Sequence, residues 1–215
     1  MKVLIITGGS VELSFAAAFL EKYKYDKLFA VDKGIETIVK FGVKPDLLLG
    51  DFDSADSVIL EEYINNNHIE VVRHNPIKDA TDTELAIDKA IEAGADEIYI
   101  LGATGTRIDH MLGNIHCLYK ALSDGVKCVL WDSHNRIELI NAPIQIYKNN
   151  MYGRYVSFIP FNGVVSDLTL KVFKYNLDKY TLECGTSIGV SNEVTEPEAL
   201  VDFKSGILIY LETRD

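Results

Sequence analysis

Positive charge is in short supply in this chain. Its 21 lysines and arginines stand against 32 aspartates and glutamates, giving a formal net charge of -11 and an isoelectric point near 4.9. Nucleic acids and anionic membranes demand a basic surface, so neither is expected as a partner. Cysteine is equally sparse. Cys117, Cys128 and Cys184 are odd in number, widely spaced and without a Cys-x-x-Cys, which excludes a disulfide framework and a zinc knuckle and leaves small core residues in a reducing compartment. Long apolar runs are missing too: Val3 to Ile6 is only four residues, too short for a signal-peptide core or a membrane span, so the expected location is the cytoplasm. There is no low-complexity linker and no repeat of solenoid period. What remains is 215 residues that are 47% hydrophobic and 25% charged, enough to bury a core in one large domain or two small ones.

The first two thirds alternate two textures. Short continuous apolar runs at Val3 to Ile6, Leu28 to Val31, Leu47 to Leu49, Ile69 to Val72, Ile98 to Leu101 and Cys128 to Trp131 read as strands buried on both faces. Between them Ser14 to Tyr23, Ile35 to Phe41, Val58 to Ile64, Leu85 to Ala93 and Met111 to Leu122 repeat apolar positions at three and four, as helices do. Such alternation predicts an α/β unit with a parallel, Rossmann-like sheet, whose ligands bind beyond the carboxyl ends of the strands. Near residues 132 to 136 the texture changes. Tyr155 to Ile159, Leu168 to Phe173, Tyr180 to Glu183 and Ile207 to Leu211 show period-two alternation between Gly, Asn and Asp, which predicts an antiparallel β-sandwich. The expected domains are therefore 1–134 and 135–215.

Three polar clusters follow successive strands. Asp51 and Asp53, in Leu47-Leu48-Leu49-Gly50-Asp51-Phe52-Asp53-Ser54, lie two apart in extended chain and so share a side, where their oxygens suit Mg²⁺; a bare Asp-x-Asp is, taken alone, more often an acidic turn. Lys78-Asp79-Ala80-Thr81-Asp82-Thr83-Glu84, taken alone, is better read as a capping box from Thr81 to Glu84; on the same sheet edge as Asp51 and Asp53 it also offers a third carboxylate, Asp82, with Lys78 as the cation for an anionic substrate. In Leu101-Gly102-Ala103-Thr104-Gly105-Thr106-Arg107-Ile108-Asp109-His110, Gly102 and Gly105 permit backbone N–H groups to approach phosphate at a helix N-terminus and Arg107 adds a planar fork of donors. Asp109 is there a candidate N-cap and His110 an ordinary surface histidine. The loop is neither a Walker A sequence nor a dinucleotide fingerprint.

Together these segments resemble, in order and spacing, the motifs of the thiamine pyrophosphokinase family: Gly50 to Ser54 preceded by Lys44-Pro45-Asp46, then Lys78 to Asp82, then Gly105 to His110 with Asn114. In the tail, Leu170 to Leu177 resembles the family's Leu-Lys-Tyr-Pro-Leu region and Gly189-Val190-Ser191-Asn192-Glu193 its Ser-Asn-Glu signature. The resemblance implies transfer of a pyrophosphoryl group from ATP to the hydroxyl of thiamine, in a homodimer whose first domain binds ATP and Mg²⁺ and whose second helps to bind thiamine. It implies Asp51, Asp53 and Asp82 around the metal, with Arg107 among the catalytic groups. Asp46, Ser54, Lys78, Thr81, Gly102, Gly105 and Arg107 fall on the ATP side, and Asp109, His110, Ser191 and Asn192 on the thiamine side. Thr106 stands where many members have a second glycine, and Asn176 replaces the usual proline. Two other classes use similar parts: a different Mg²⁺-dependent phosphohydrolase or nucleotidyltransferase, and a non-catalytic thiamine or nucleotide sensor.

Overall fold

A computed structural model of the chain describes residues 1–50, 69–73, 80–105 and 107–215. Asp51, Asp53, Ser54, Lys78 and the helix expected over Val58 to Ile64 lie outside the described residues. The fold is mixed α/β, with parallel and antiparallel strands, and divides into two compact units, Met1–Ser133 and His134–Asp215.

In the first unit the strands are β1 (Lys2–Ile6), β2 (Lys27–Val31), β3 (Leu47–Gly50), β4 (Glu70–Arg73), β5 (Glu97–Leu101) and β6 (Lys127–Trp131). They pair in parallel in the order β4-β3-β2-β1-β5-β6. The apolar runs form these strands because helices cover the sheet: Val3, Leu4, Ile5, Ile6, Leu48, Leu49, Ile98, Ile100 and Leu101 are fully buried. The helices are α1 (Leu13–Lys22), α2 (Gly34–Lys40), α3 (Asp82–Glu92) and α4 (Ile108–Ser123). Each starts one to three residues before the apolar spacing alone predicts; in α3 the added turn carries the acids Asp82 and Glu84, which suit the orphan N–H groups of a helix N-terminus. Lys120 of α4 meets Glu84 at 2.9 Å and Asp88 at 2.8 Å, tying α4 to α3. Strand order reverses between β1 and β5: β2, β3 and β4 build outward on one side and β6 on the other.

The second unit is antiparallel. Its strands are β7 (Asn135–Ile140), β8 (Ile144–Tyr147), β9 (Tyr155–Lys171), β10 (Leu177–Leu182), β11 (Glu198–Asp202) and β12 (Ser205–Thr213), in the order β7-β12-β9-β11-β8 with β10 also on β9. Two of the expected strands, Tyr155 to Ile159 and the Leu168 to Lys171 part of Leu168 to Phe173, belong to the single 17-residue β9, which ends before Val172 and Phe173. Its first half pairs with β12 and its second with β10 and β11. Between the halves Asn162 (φ 52°) and Gly163 (φ 134°) bend the strand without ending it. Val156, Phe158, Val165, Leu168 and Leu170 of β9 pack with Leu182, Val201, Leu208 and Tyr210 to form the core.

A buried charge cluster joins β7 to β12. Register sets Arg136 opposite Glu212 and Glu138 opposite Tyr210. Arg136 reaches Glu138 at 2.8 Å and Glu212 at 3.1 Å, while the Tyr210 hydroxyl and the Tyr152 N–H both donate to Glu212. Burial, then the neighbouring Glu212 carboxylate, pushes the Tyr210 phenol far above its ordinary value. For Arg136, burial opposes the charge but the two carboxylates outweigh it. Removing the cation strands two buried acids, so Arg136→Met is expected to cost about 3 to 5 kcal/mol. A urea unfolding midpoint that falls with unchanged slope is the expected readout.

Candidate active site

Parallel pairing brings every strand's carboxyl end to one edge of the first sheet. Along it lie Thr7 after β1, Asp32 after β2, Gly50 closing β3, Gly102 after β5 and Asp132 after β6. These ends are drawn close. The Thr7 N–H and hydroxyl donate to the Leu101 carbonyl at 2.9 and 3.3 Å, and the Asp32 N–H donates to the Leu49 carbonyl at 2.8 Å. A Cβ built on Gly9 would stand 2.0 Å from the Gly102 carbonyl oxygen, so the loop after β1 can lie against the loop after β5 only without a side chain there. Gly50 adopts φ 146°, and a Cβ on it would meet Asp32 Oδ1 at 2.3 Å. Asp32 itself holds φ 48°, unusual for a residue other than glycine. Its carboxylate lies beside the Gly50 backbone, where a Cβ would displace it.

The loop after β5 is held from beneath. Buried Asn114 of α4 donates from Nδ2 to the Ala103 carbonyl at 2.8 Å, and the Thr104 hydroxyl donates to Asp132. Gly102 has φ 78°. Gly105 stands open, with Ser10 and Gly9 backbone the nearest atoms to a Cβ there, at 3.8 and 3.9 Å. The loop ends at Arg107, which occupies the N-cap position of α4 with no side-chain cap hydrogen bond. Asp109 does not cap the helix. It takes the Arg107 fork instead, from Nε at 3.2 Å and Nη2 at 2.5 Å. Arg107, Asp109 and His110 are all exposed.

At the start of α3, Thr81 is the N-cap and its hydroxyl accepts from the Glu84 N–H at 3.2 Å. Only that half of the expected capping box forms, since the Glu84 carboxylate is drawn to Lys120. Asp82 follows in the first turn, half-buried. Among the described residues no three carboxylates, imidazoles or thiols converge as a metal site. Asp82 and Asp32 offer hard oxygen donors of the kind Mg²⁺ takes, and Asp51 and Asp53 would have to complete any such set.

The structure does not bring Asp46 to this edge. It precedes β3, at the amino end of the sheet, where its N–H donates to the Leu28 carbonyl at 2.7 Å and its Oδ2 accepts from the Leu28 N–H at 2.8 Å. Asp46 fastens the entry of β3 to β2, about a strand's length from the glycine loops. Gly9, in Gly8-Gly9-Ser10, lies outside the motifs that carry the family resemblance, and Asp32, in Asp32-Lys33-Gly34, marks only where that resemblance begins. Strand order would have pointed to the first, because the loops that flank the reversal are those after β1 and β5.

In the second unit Ser191 is exposed at φ 56°, and its N–H donates to the Ser157 hydroxyl at 3.0 Å. Asn192 is 3% exposed. Glu193 bridges Arg154 and Lys174, each at 2.9 Å, and these two cations hold its carboxyl below the usual range, Lys174 foremost.

The Arg107 fork holds the Asp109 carboxyl down to about 2. A depressed folded value means that the pair's contribution is present above the unfolded value of about 3.9 and is lost as pH falls toward 2. In Arg107→Ala the Asp109 carboxyl, followed by carbon-detected NMR, is expected to titrate near the ordinary aspartate value. A midpoint still near 2 would place the cause elsewhere.

The model of the thiamin pyrophosphokinase catalytic domain matches residues 20–130, and that of the thiamin pyrophosphokinase vitamin B1 binding domain matches residues 142–208. The thiamine pyrophosphokinase of Bacillus subtilis (strain 168) is 36% identical over 188 residues, 86% of either chain. A crystal structure of the Bacillus subtilis enzyme superposes with a TM-score of 0.89 at 33% identity over all of both chains. That of the Geobacillus thermodenitrificans enzyme gives 0.85 at 29% identity, covering all of this chain and 98% of the other. The chain belongs to the thiamine pyrophosphokinase family.

Proposed function

We propose that this chain transfers the pyrophosphoryl group of ATP to thiamine, giving thiamine diphosphate and AMP. The observation that carries the proposal is the succession, on one chain, of a catalytic-domain match and a vitamin B1 binding match. We read the first unit as Rossmann-like and nucleotide-binding. Its sheet reverses order between β1 and β5, and α/β sheets bind ligands at such a reversal, beyond the carboxyl ends. We read the second unit as the thiamine-binding β-sandwich, for which the double pairing of β9 is the supporting feature.

In this reaction the thiamine hydroxyl oxygen bonds to the β-phosphorus of ATP while the bond from that phosphorus to the oxygen bridging the α-phosphorus breaks. AMP leaves with that oxygen, and the hydroxyl proton passes to a base. The protein's work is positioning and charge compensation rather than covalent chemistry. The loops around Gly9, Gly102 and Gly105 offer backbone N–H groups to phosphate oxygens, and exposed Arg107 adds charge-assisted donors to them. Lys78, Ser54 and Thr81 join the ATP side by resemblance. Asp51, Asp53 and Asp82 are the residues that would hold Mg²⁺, which when bound neutralises phosphate charge. On the thiamine side stand Asp109, His110 and Ser191, with Asn192 taken up below. An acidic chain suits a cationic thiazolium ring. A homodimer accords with the exposed Ile108, Leu112 and Tyr119 on α4, and a reducing cytoplasm with three free cysteines.

Phosphorus NMR of the chain with ATP, Mg²⁺ and thiamine is expected to show AMP and a pyrophosphoryl ester; free phosphate alone would point to a phosphohydrolase. Asp53→Ala is expected to abolish AMP formation while leaving the circular dichroism spectrum intact. Near-normal turnover would remove the metal assignment. Gly9→Val is expected to push the loop after β1 off the Gly102 carbonyl and raise the ATP KM about tenfold or more, with a smaller change in the thiamine KM.

A further inference from the structure

Asn192 lies in the Ser-Asn-Glu signature, beside the thiamine-side Ser191, yet its side chain has little left to offer a ligand. It is 3% exposed. Its Oδ1 accepts from the Tyr175 N–H at 3.0 Å and from the Glu193 N–H at 2.9 Å, and its Nδ2 donates to the Tyr175 carbonyl at 2.7 Å. Both lone pairs of the amide oxygen are thus in use, and one side chain satisfies both backbone groups of Tyr175. The backbone of Asn192 is equally occupied: it exchanges both hydrogen bonds with Val156 of β9, at 2.8 and 2.9 Å.

The segment it grips is an irregular turn. Val172 leaves β9 at φ 71°, and the chain then runs through Phe173, Lys174 and Tyr175 to Asn176, whose Oδ1 accepts from the Phe173 N–H at 3.0 Å. The Lys174 N–H donates to the Glu193 carbonyl at 2.8 Å, and the Lys174 ammonium meets the Glu193 carboxylate. Tyr175 carries the outward surface of this turn, 61% exposed, with the Lys174 ammonium 5.6 Å from its ring centre. An exposed ring on an irregular turn has no regular ladder to place it. Here the Asn192 amide supplies what a ladder would.

We infer that Asn192 is a positioning residue that contacts no thiamine: by holding the Tyr175 peptide groups against the Val156 backbone, it fixes the Tyr175 ring. The inference rests on the thiamine assignment of this unit. A directly binding Asn192 and a positioning one differ in how their loss combines with loss of Tyr175. If Asn192 acts through Tyr175, removing it after the ring has gone changes little.

The test is steady-state AMP formation by the full chain with ATP and Mg²⁺, varying thiamine and ATP separately. Asn192→Ala is expected to raise the thiamine KM about tenfold with the ATP KM changed less than about twofold. Tyr175→Ala is expected to raise the thiamine KM as well, and the double variant to be no worse than Tyr175→Ala alone. Asn192→Asp keeps the acceptors for the Tyr175 and Glu193 N–H groups and loses the donor, so its thiamine KM is expected to fall between the wild-type and Asn192→Ala values. Should Asn192→Ala fail to fold, Asn192→Asp in the Tyr175→Ala background completes the same cycle. Multiplying thiamine KM effects in the double variant, or a parallel rise in both KM values, would overturn the inference. Absence of thiamine-dependent AMP from the unaltered chain is a separate result, and it would overturn the functional assignment together with the inference.

Discussion

The contact of the Gly9 backbone with the Gly102 carbonyl is the constraint on which the first unit's chemistry depends. Parallel strands can share a carboxyl edge without their loops touching. Here the loops after β1 and β5 touch because neither carries a side chain at the crossing, so two sets of backbone N–H groups are gathered where strand order reverses. The buried strands supply the rest. Ile5, Ile6, Ile100 and Leu101 have no freedom to move, and so neither have the residues that follow them. Asn114 and Thr104 then hold the second loop from inside the unit and from the end of β6. Rigid placement of polar groups before any ligand arrives is what transfer chemistry of this kind needs, because reorganising dipoles during the reaction raises the barrier.

Polar groups hold the second unit at two places, with different consequences. Arg136, Glu138, Glu212 and Tyr210 face each other across β7 and β12, where a slip of one residue would separate the charges and turn each onto the other face. That cluster fixes register. Asn192 acts on Tyr175, just beyond the antiparallel bridge of Phe173 with Val194, and its three hydrogen bonds hold the chain where that pairing ends. Both arrangements satisfy their buried polar atoms within the unit, as a protein interior requires.

Much of this was legible in the amino-acid sequence. Five of the six parallel strands stood out because burial on both faces demands uninterrupted apolar residues, and no loop needs such a run; β4, at the edge of the sheet, is only half-buried. β7, β8 and β11 did not stand out. Asn135–Ile140 places Arg136 and Glu138 inside, so its buried cluster reads as a polar boundary, and Glu198–Asp202 alternates over only five residues. β9 was read in two pieces because Asn162-Gly163 is a turn signal in any local window. Its strand pairing there comes from β12 on one side and from β10 and β11 on the other. Of the site residues, Arg107 and Gly102 lie where the motif put them, at a carboxyl end. Asp46 does not, and the direction of β3 already says so: a residue before a parallel strand belongs to the opposite edge from one after it. The role of Asn192 was hidden for another reason. Motif position marks a residue as near a ligand and carries nothing about whether its hydrogen bonds point outward or into the protein.

Under the proposed function, Arg107 is where a chain acidic overall would receive a polyphosphate. Its fork lies on Asp109, and both groups are exposed. Pairs of this kind contribute little to stability, because water screens them and long side chains lose freedom in forming them. A phosphate carrying more charge than one carboxylate, approached also by the backbone N–H groups of the glycine loops, competes for the same donors on favourable terms. Asp109 therefore aims the guanidinium without holding it irreversibly. Whatever displaces Asp109 from the fork also frees its carboxylate, at the start of α4 and next to His110, for an interaction of its own. Under the proposed function, donor and acceptor substrates of opposite charge need no oppositely charged halves of the protein: one exposed ion pair at the end of a glycine loop would hold a partner for each.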